Sequence, residues 1–276
     1  MDAMTPNDVV DQAKTNPVFQ NVKPAGQSTK YSFIGGRGNQ PKMDHCSHCG
    51  AHKFALCAGL SGDKLIEFGK ESHNKIFKPG QMLFSEYDDA RYFYTVVSGE
   101  VRLSRMLDDG RRQITGFKSA GDFVGLSADK HYTADAEAID DVTVCQFSVT
   151  SLNASLAEIN EVQSRLMEMM QTEVINLQNH MLLLGRKTPI EKIANFFCER
   201  VHKKFEMEGK PDDCNTAEIT LPMSRTDIAD FLGLTIETVS RTITKLRKLG
   251  VIELETSQIV KVRDLYELQL LADGEN

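Results

Sequence analysis

Between Asn74 and Val149 the chain alternates apolar and polar positions in short runs, separated by Pro79-Gly80, Ser98-Gly99, Asp109-Gly110 and Ala120-Gly121-Asp122. Period-two alternation punctuated by turn residues is the mark of short antiparallel strands, so this stretch predicts a β-barrel or jelly roll. From about Leu152 the period becomes helical and stays so to Leu184. Met167, Met170, Val174, Leu177, Met181 and Leu184 recur there in steps of three and four, the a/d seam of a coiled coil, and predict a dimerisation helix over 151–185. A stripe that packs on its own domain is the alternative.

Thr188-Pro189 opens the next helix, with Thr as N-cap and Pro at the first helical position, and the pattern carries it to about Phe205. After a polar loop from Met207 to Thr216, residues Glu218 to about Val262 read as a helix-turn-helix followed by a hairpin. Ser224 caps a short helix, Arg225 to Phe231, with Asp227 at its third position; Gly233 permits a tight turn and Thr235 caps a second helix, Ile236 to Leu249. Ile228, Ala229, Leu232, Leu234, Val239, Ile243 and Leu246 supply a small core, and Val251 to Val262, turning at Thr256-Ser257-Gln258, forms a wing.

The plan is therefore α+β: a tail over 1–42, expected to be disordered; a double-stranded β-helix (jelly-roll) domain over 43–150; the dimerisation helix; a winged helix-turn-helix over 186–266; and a C-terminal tail over 267–276.

The second helix of the pair exposes Glu237, Ser240, Arg241, Thr244, Lys245 and Lys248. Glu237, Ser240 and Arg241 share one face near its N-terminus, the end that meets base edges in such units. A carboxylate accepts from cytosine, a guanidinium reaches the guanine edge, and a serine donates or packs near a thymine methyl. Ser224, Thr244, Lys245 and Lys248 suit backbone phosphates. The net charge of −7 does not oppose this, because Arg241, Lys245, Arg247 and Lys248 against Glu237 leave the helix locally basic on an acidic chain.

No run approaches the ~20 apolar residues of a membrane span. The start, with Asp2, Asp8 and Asp11, lacks the cationic and apolar stretches of a secretory signal, so a cytoplasmic location without membrane contact is expected. No Ser/His/Asp set, carboxylate pair or phosphate loop stands out, so no enzymatic activity is expected. In a reducing compartment cysteines serve as thiols or metal ligands, which gives weight to Cys46-x2-Cys49-x7-Cys57 and to Cys145 at the end of an apolar run. Four thiolates are the usual ligand set of an iron–sulfur cluster. Zinc on Cys46, Cys49, His52 and Cys57, with His45 and His48 nearby, is the rival, a redox dithiol is another, and Cys145 alone reads as a small core residue. Cys198 and Cys214 fall outside the motif.

The barrel, long helix and winged helix-turn-helix, with Glu237-Thr238-Val239-Ser240-Arg241 on the recognition helix, resemble the bacterial Crp/Fnr superfamily over roughly residues 45 to 265, and its Fnr branch in particular. The branch with seven residues before the third cysteine is similar in spacing. The resemblance implies a 4Fe-4S cluster on Cys46, Cys49, Cys57 and Cys145, oxygen sensing, and a homodimer on palindromic TTGA…TCAA double-stranded DNA that controls anaerobic genes. It also implies contact with RNA polymerase, for which the turn Leu107 to Arg112 is the candidate surface. Lys130-His131-Tyr132-Thr133-Ala134 stands where a cyclic-nucleotide site of this superfamily carries Arg-Ser or Arg-Thr, so no cyclic nucleotide is expected. Leu177 stands where Fnr proteins hold an acidic residue that disfavours dimerisation of the cluster-free form. A relative sensing haem-bound nitric oxide or a small ligand, with structural zinc, is the alternative.

Overall fold

The computed structural model describes Cys46, residues 49–211 and residues 214–275. The expected N-terminal tail, His45 and His48 lie outside the described residues.

A helix, α1 (Gly62–Lys70), leads into eight strands: β1 (Ser72–Phe77), β2 (Met82–Phe84), β3 (Tyr92–Ser98), β4 (Val101–Met106), β5 (Arg112–Lys118), β6 (Phe123–Val124), β7 (Asp135–Ala138) and β8 (Val142–Ser148). They form two antiparallel sheets, ordered β1-β8-β3-β6 and β2-β7-β4-β5, the jelly roll that the alternation predicts. Alternate residues separate two cores. Val142 and Val144 of β8, with Tyr94 and Val96 of β3, face the interior between the sheets, where Phe84 and Tyr132 stack with ring centroids 3.8 Å apart. Phe93 and Phe147, one residue out of phase, face outward beneath α1. Gly99 is required at its turn: its φ is +80°, and a Cβ there would stand 2.5 Å from the Asp141 carbonyl oxygen.

Two helices follow where one is expected: α2 (Val149–Glu158) and α3 (Asn160–Arg186). The break falls at Ile159, extended at φ −117° and ψ 95° and buried. It re-aims the chain so that Leu152 on one side and Val162 and Leu166 on the other all pack on the outer core. At 27 residues α3 is about 40 Å long. Met167, Met170, Val174, Leu177 and Met181 are exposed along it, together with Ile175 and Leu182. Leu184, assigned to the same seam, instead packs on the core of the C-terminal unit, because the helix there turns its apolar face inward.

That unit comprises α4 (Pro189–Glu208), β9 (Ala217–Thr220), α5 (Arg225–Leu232), α6 (Ile236–Lys248), β10 (Ile252–Leu254), β11 (Ile259–Val262) and α7 (Leu265–Asp273). The Thr188 N–H donates to Glu191 at the start of α4, and β10-β11-β9 form the wing sheet. The expected tail from 267 is corrected to α7. Asp264 caps it, and Leu268, Leu271 and Ala272 are buried against the head, so the segment has an apolar face to bury and a start signal that favours helix. Lys187 and Asn195 both donate to the Ala272 carbonyl, which anchors the far end. Among the described residues no helix is long and apolar enough to cross a membrane.

Candidate functional site

The cysteines meet on the outer face of the barrel. Cys145 lies on β8, paired with Asn74 of β1 on one side and Thr95 of β3 on the other. Its side chain takes the same face as Phe93 and Phe147, not the interior face of Val144. Over that face lie Leu56 and Leu60 of the cysteine loop and Leu65 and Phe68 of α1, and Phe68 and Phe147 pack with centroids 4.8 Å apart. Cys46, Cys57 and Cys145 all border this core, and all four cysteines are half-buried free thiols. Gly69 makes room: a Cβ there would stand 2.8 Å from Cys46 Sγ.

The electrostatics report the same grouping. Burial pushes the Cys57 thiol up to about 12, and the neighbouring sulfurs of Cys49, Cys145 and Cys46 add to it. Burial likewise lifts Cys145 to about 12, with Cys46 and Cys49 adding and the Ser72 hydroxyl opposing. Cys46 is raised by burial and by Cys49. The thiols thus lie near enough to feel one another's charge. Among the described residues, however, no three Cys, His, Asp or Glu side chains converge as the ligands of a single metal ion must. A zinc ion needs its ligands within about 2.0 to 2.3 Å of one point, whereas a cluster spreads four thiolates over its corners. Four cysteine sulfurs are the donor type that an iron–sulfur cluster takes. Cys198 is buried in the head and Cys214 lies beside it, both remote from the group.

The loop between Cys49 and Cys57 is held from two sides that sequence reasoning missed. The Phe54 carbonyl accepts from Arg165 of α3 at 2.9 Å. Phe54 also closes on the Ala120-Gly121-Asp122 turn, where a Cβ on Gly121 would come within 2.5 Å of Phe54 Cβ. Asp122 in turn pairs with Lys203 of α4, and Lys118 of β5 with Glu173 of α3 at 2.6 Å.

In the head, Ser224 and Asp227 form a reciprocal capping box on α5, with the Asp227 N–H donating to Ser224 Oγ at 3.1 Å and the Ser224 N–H to Asp227 at 2.9 Å. The same Asp227 carboxylate accepts from Arg102 of β4 at 2.5 Å and Arg112 of β5 at 2.7 Å, and Asp230 takes a second bond from Arg112 at 2.7 Å. Burial opposes ionisation of Asp227, but the Ser224 bonds and the two guanidiniums outweigh it and hold the carboxyl below its usual range. Strand arginines in otherwise apolar alternation were the available signal.

On α6, Glu237, Ser240, Arg241, Lys245 and Lys248 are exposed while Val239, Ile243 and Leu246 are buried. The Glu237 carboxyl is lowered first by its own backbone N–H at the helix start, then by Thr235. Thr244 donates to the Ser240 carbonyl at 2.9 Å and Ser224 Oγ to Asp227 at 2.7 Å, so both hydroxyls must turn to give a proton to a phosphate.

Residues 74–158 match the cyclic nucleotide-binding domain family and residues 191–271 the Crp-like helix-turn-helix domain family. The chain is 40% identical to the nitrogen fixation regulation protein FixK of Bradyrhizobium diazoefficiens, over 77% of this chain and 88% of that protein. It is 31% identical to the transcriptional activator protein FnrL of Cereibacter sphaeroides, over 82% and 91%. The transcriptional activator protein anr of Pseudomonas aeruginosa is also 31% identical, over 84% and 93%. Among solved structures, FixK2 from Bradyrhizobium japonicum superposes with a TM-score of 0.65 at 34% identity, covering 72% of this chain and 96% of that one.

Proposed function

The chain belongs to the Crp/Fnr family of transcription regulators, and from that premise we propose that it is an oxygen-responsive regulator of the Fnr type, holding a 4Fe-4S cluster and acting on DNA as a homodimer. The observation that carries this reading is that Cys46 and Cys57, from a loop upstream of both matched domains, border the same outer core as Cys145 on β8, with Cys49 near enough to raise the Cys57 and Cys145 thiols. A 4Fe-4S group on these thiolates supplies an oxygen-labile tie between loop and barrel. A cluster on the four sulfurs would add a further hold on the loop whose Phe54 rests on Arg165 and Gly121. The difference reaches α3 through Arg165 and α4 through Asp122 and Lys203. Such a difference between states is what a regulating ligand must have, since equal affinity for both shifts nothing.

The barrel interior favours the same reading. Phe84, Tyr94 and Tyr132 fill it, and the Tyr132 hydroxyl donates to the Tyr92 carbonyl at 2.9 Å. Tyr132 belongs to the segment where a cyclic nucleotide would be held, so the signal enters from the outer face instead.

The Crp-like helix-turn-helix binds DNA. Two heads in a dimer address a palindrome of TTGA and TCAA half-sites, with Glu237, Ser240 and Arg241 at base edges and Ser224, Thr244, Lys245 and Lys248 at phosphates. By likeness to the named activators, the chain activates transcription through RNA polymerase. The β4–β5 turn offers exposed Leu107 for that contact. Arg241→Ala is expected to cost about 1 to 3 kcal/mol of operator affinity and relax choice at one base pair, while Lys245→Ala weakens all sequences alike and lowers the salt slope by about one. Fluorescence anisotropy on single-base operator variants separates the two.

The reading as a whole is tested by anaerobic loading with ferrous iron and sulfide. Loaded protein should show iron–sulfur absorbance and tighter operator binding than metal-free protein, and air should reverse both. Equal operator affinity with and without the cluster would sink the proposal.

A further inference from the structure

We propose that Thr95 donates a hydrogen bond to the sulfur atoms of the four-cysteine site, an inference that rests on the iron–sulfur reading above. Thr95 sits on β3 directly opposite Cys145 of β8. Residues paired in this way across an antiparallel ladder project from the same face of the sheet, with Cβ atoms about 4.5 to 5.5 Å apart. That face is the outer one, because Phe93, two residues before Thr95, and Phe147, two after Cys145, both lie in the core beneath the cysteine loop.

Thr95 is 3% exposed, and its hydroxyl has no hydrogen-bond partner among the described residues. A buried polar atom left bare is costly, and native folds leave few of them. The strand itself does not call for a hydroxyl: valine has nearly the same shape and an equal or better fit to a pleated, buried position. What distinguishes this place is its neighbour. Thiolate and sulfide sulfurs are hydrogen-bond acceptors, and bonds to them set the stability and reduction potential of an iron–sulfur centre. Thr95 holds its donor in reserve beside the one ligand that comes from the rigid sheet rather than from the loop. It is a positioning residue that acts through sulfur, not a ligand to iron.

The test compares full-length Thr95→Val and Thr95→Ser with the wild type, metal-free and after anaerobic loading with ferrous iron and sulfide. Loaded Thr95→Val should carry the wild-type iron and sulfide content, show a more negative midpoint potential, and lose iron to a chelator about fivefold faster, as expected for one missing hydrogen bond. Metal-free Thr95→Val should melt at the wild-type temperature or above it, because the bare hydroxyl is gone. That reversal of sign between the two forms is something a purely structural role would not produce. Thr95→Ser, which keeps the hydroxyl, should retain the wild-type potential and chelator rate. Wild-type potential and rate in loaded Thr95→Val overturn the proposal, as does a Thr95→Ser change as large as that of Thr95→Val, which would assign the effect to packing. If the wild type takes up neither iron nor sulfide, the cluster reading itself falls and this inference with it, an outcome distinct from the others.

Discussion

Asp227→Ala should lower the stability of the protein by about 3 kcal/mol, because one carboxylate accepts from three residues, Ser224, Arg102 and Arg112, and the variant leaves Arg102 with Glu137 alone and Arg112 with Asp230 alone. It caps α5 through Ser224 and neutralises Arg102 and Arg112, which reach it from the barrel. Losing a helix cap costs about 0.5 to 2 kcal/mol, and removing one partner of a buried ion pair costs about 3 to 5. The lower end applies because a quarter of the Arg112 side chain is still exposed. At about 2 to 4 °C per kcal/mol, calorimetry should find a melting temperature lower by roughly 6 to 12 °C. Asp230→Ala, which removes a contact to Arg112 but leaves the cap, should cost clearly less. Asp227→Ala and Arg112→Ala should also fail to add, with a coupling of about 0.5 to 3 kcal/mol. A melting temperature within a degree of the wild type would show that this carboxylate does not join head to barrel. The sign with pH follows from the lowered carboxyl: its contribution is fully present above the unfolded value near 3.9 and is lost as pH falls through the folded one.

Under the proposed function this joint would carry the signal from the cysteine loop to the head. The head is tied to β4 and β5 through Asp227 and Asp230, and to the turn after β5 through Lys203 and Asp122. The cysteine loop leans on that same turn at Gly121. Movement of Phe54 therefore has a short path of packed and ion-paired groups to α4, in addition to the path through Arg165 to α3. Two routes converge on the head, and only one of them runs along the dimer helix.

The architecture was legible because each element carries its period and its punctuation. Strand alternation, the Thr188-Pro189 start and the Ser224 and Thr235 caps each stand within a few residues of the element they define. The interruption at Ile159 was not legible, since a β-branched residue between two helical patterns gives no Pro or Gly signal, and the break is made by burial of its side chain. Leu184 continued the seam in sequence but is claimed by the head core, which only tertiary packing reveals. α7 was missed although Asp264 and the spacing of Leu265, Leu268 and Leu271 announce a capped amphipathic turn. At the candidate site the loop cysteines were readable from spacing. The outward face of Cys145 was not, because it depends on which parity of β8 meets the interior. Nor was the second role of Asp227, whose partner Arg102 lies 125 residues away.

The exposed seam on α3 leads to the other large effect. Met167, Met170, Val174, Leu177 and Met181 present one apolar stripe, with Leu177 47% and Met181 72% exposed in the single chain. A stripe of this kind is stable in water when a second copy covers it, and regulators of this family act as dimers. No carboxylate interrupts it, so the metal-free protein should already sediment as a dimer at micromolar concentration. Leu177→Asp removes about 2 kcal/mol of apolar burial from each protomer and sets two carboxylates across the two-fold axis. The symmetric loss of roughly 4 kcal/mol corresponds to a dimer dissociation constant about a thousandfold higher. Analytical ultracentrifugation should therefore show a dimer for the wild type, loaded or metal-free, and a monomer for Leu177→Asp in both forms. A wild type that is monomeric when metal-free at tens of micromolar would return the gate to dimerisation itself. A wild-type dimer in both forms, with tighter operator binding only when loaded, leaves the orientation of the heads on Arg102, Arg112 and Lys203 as the step that cysteine occupancy controls.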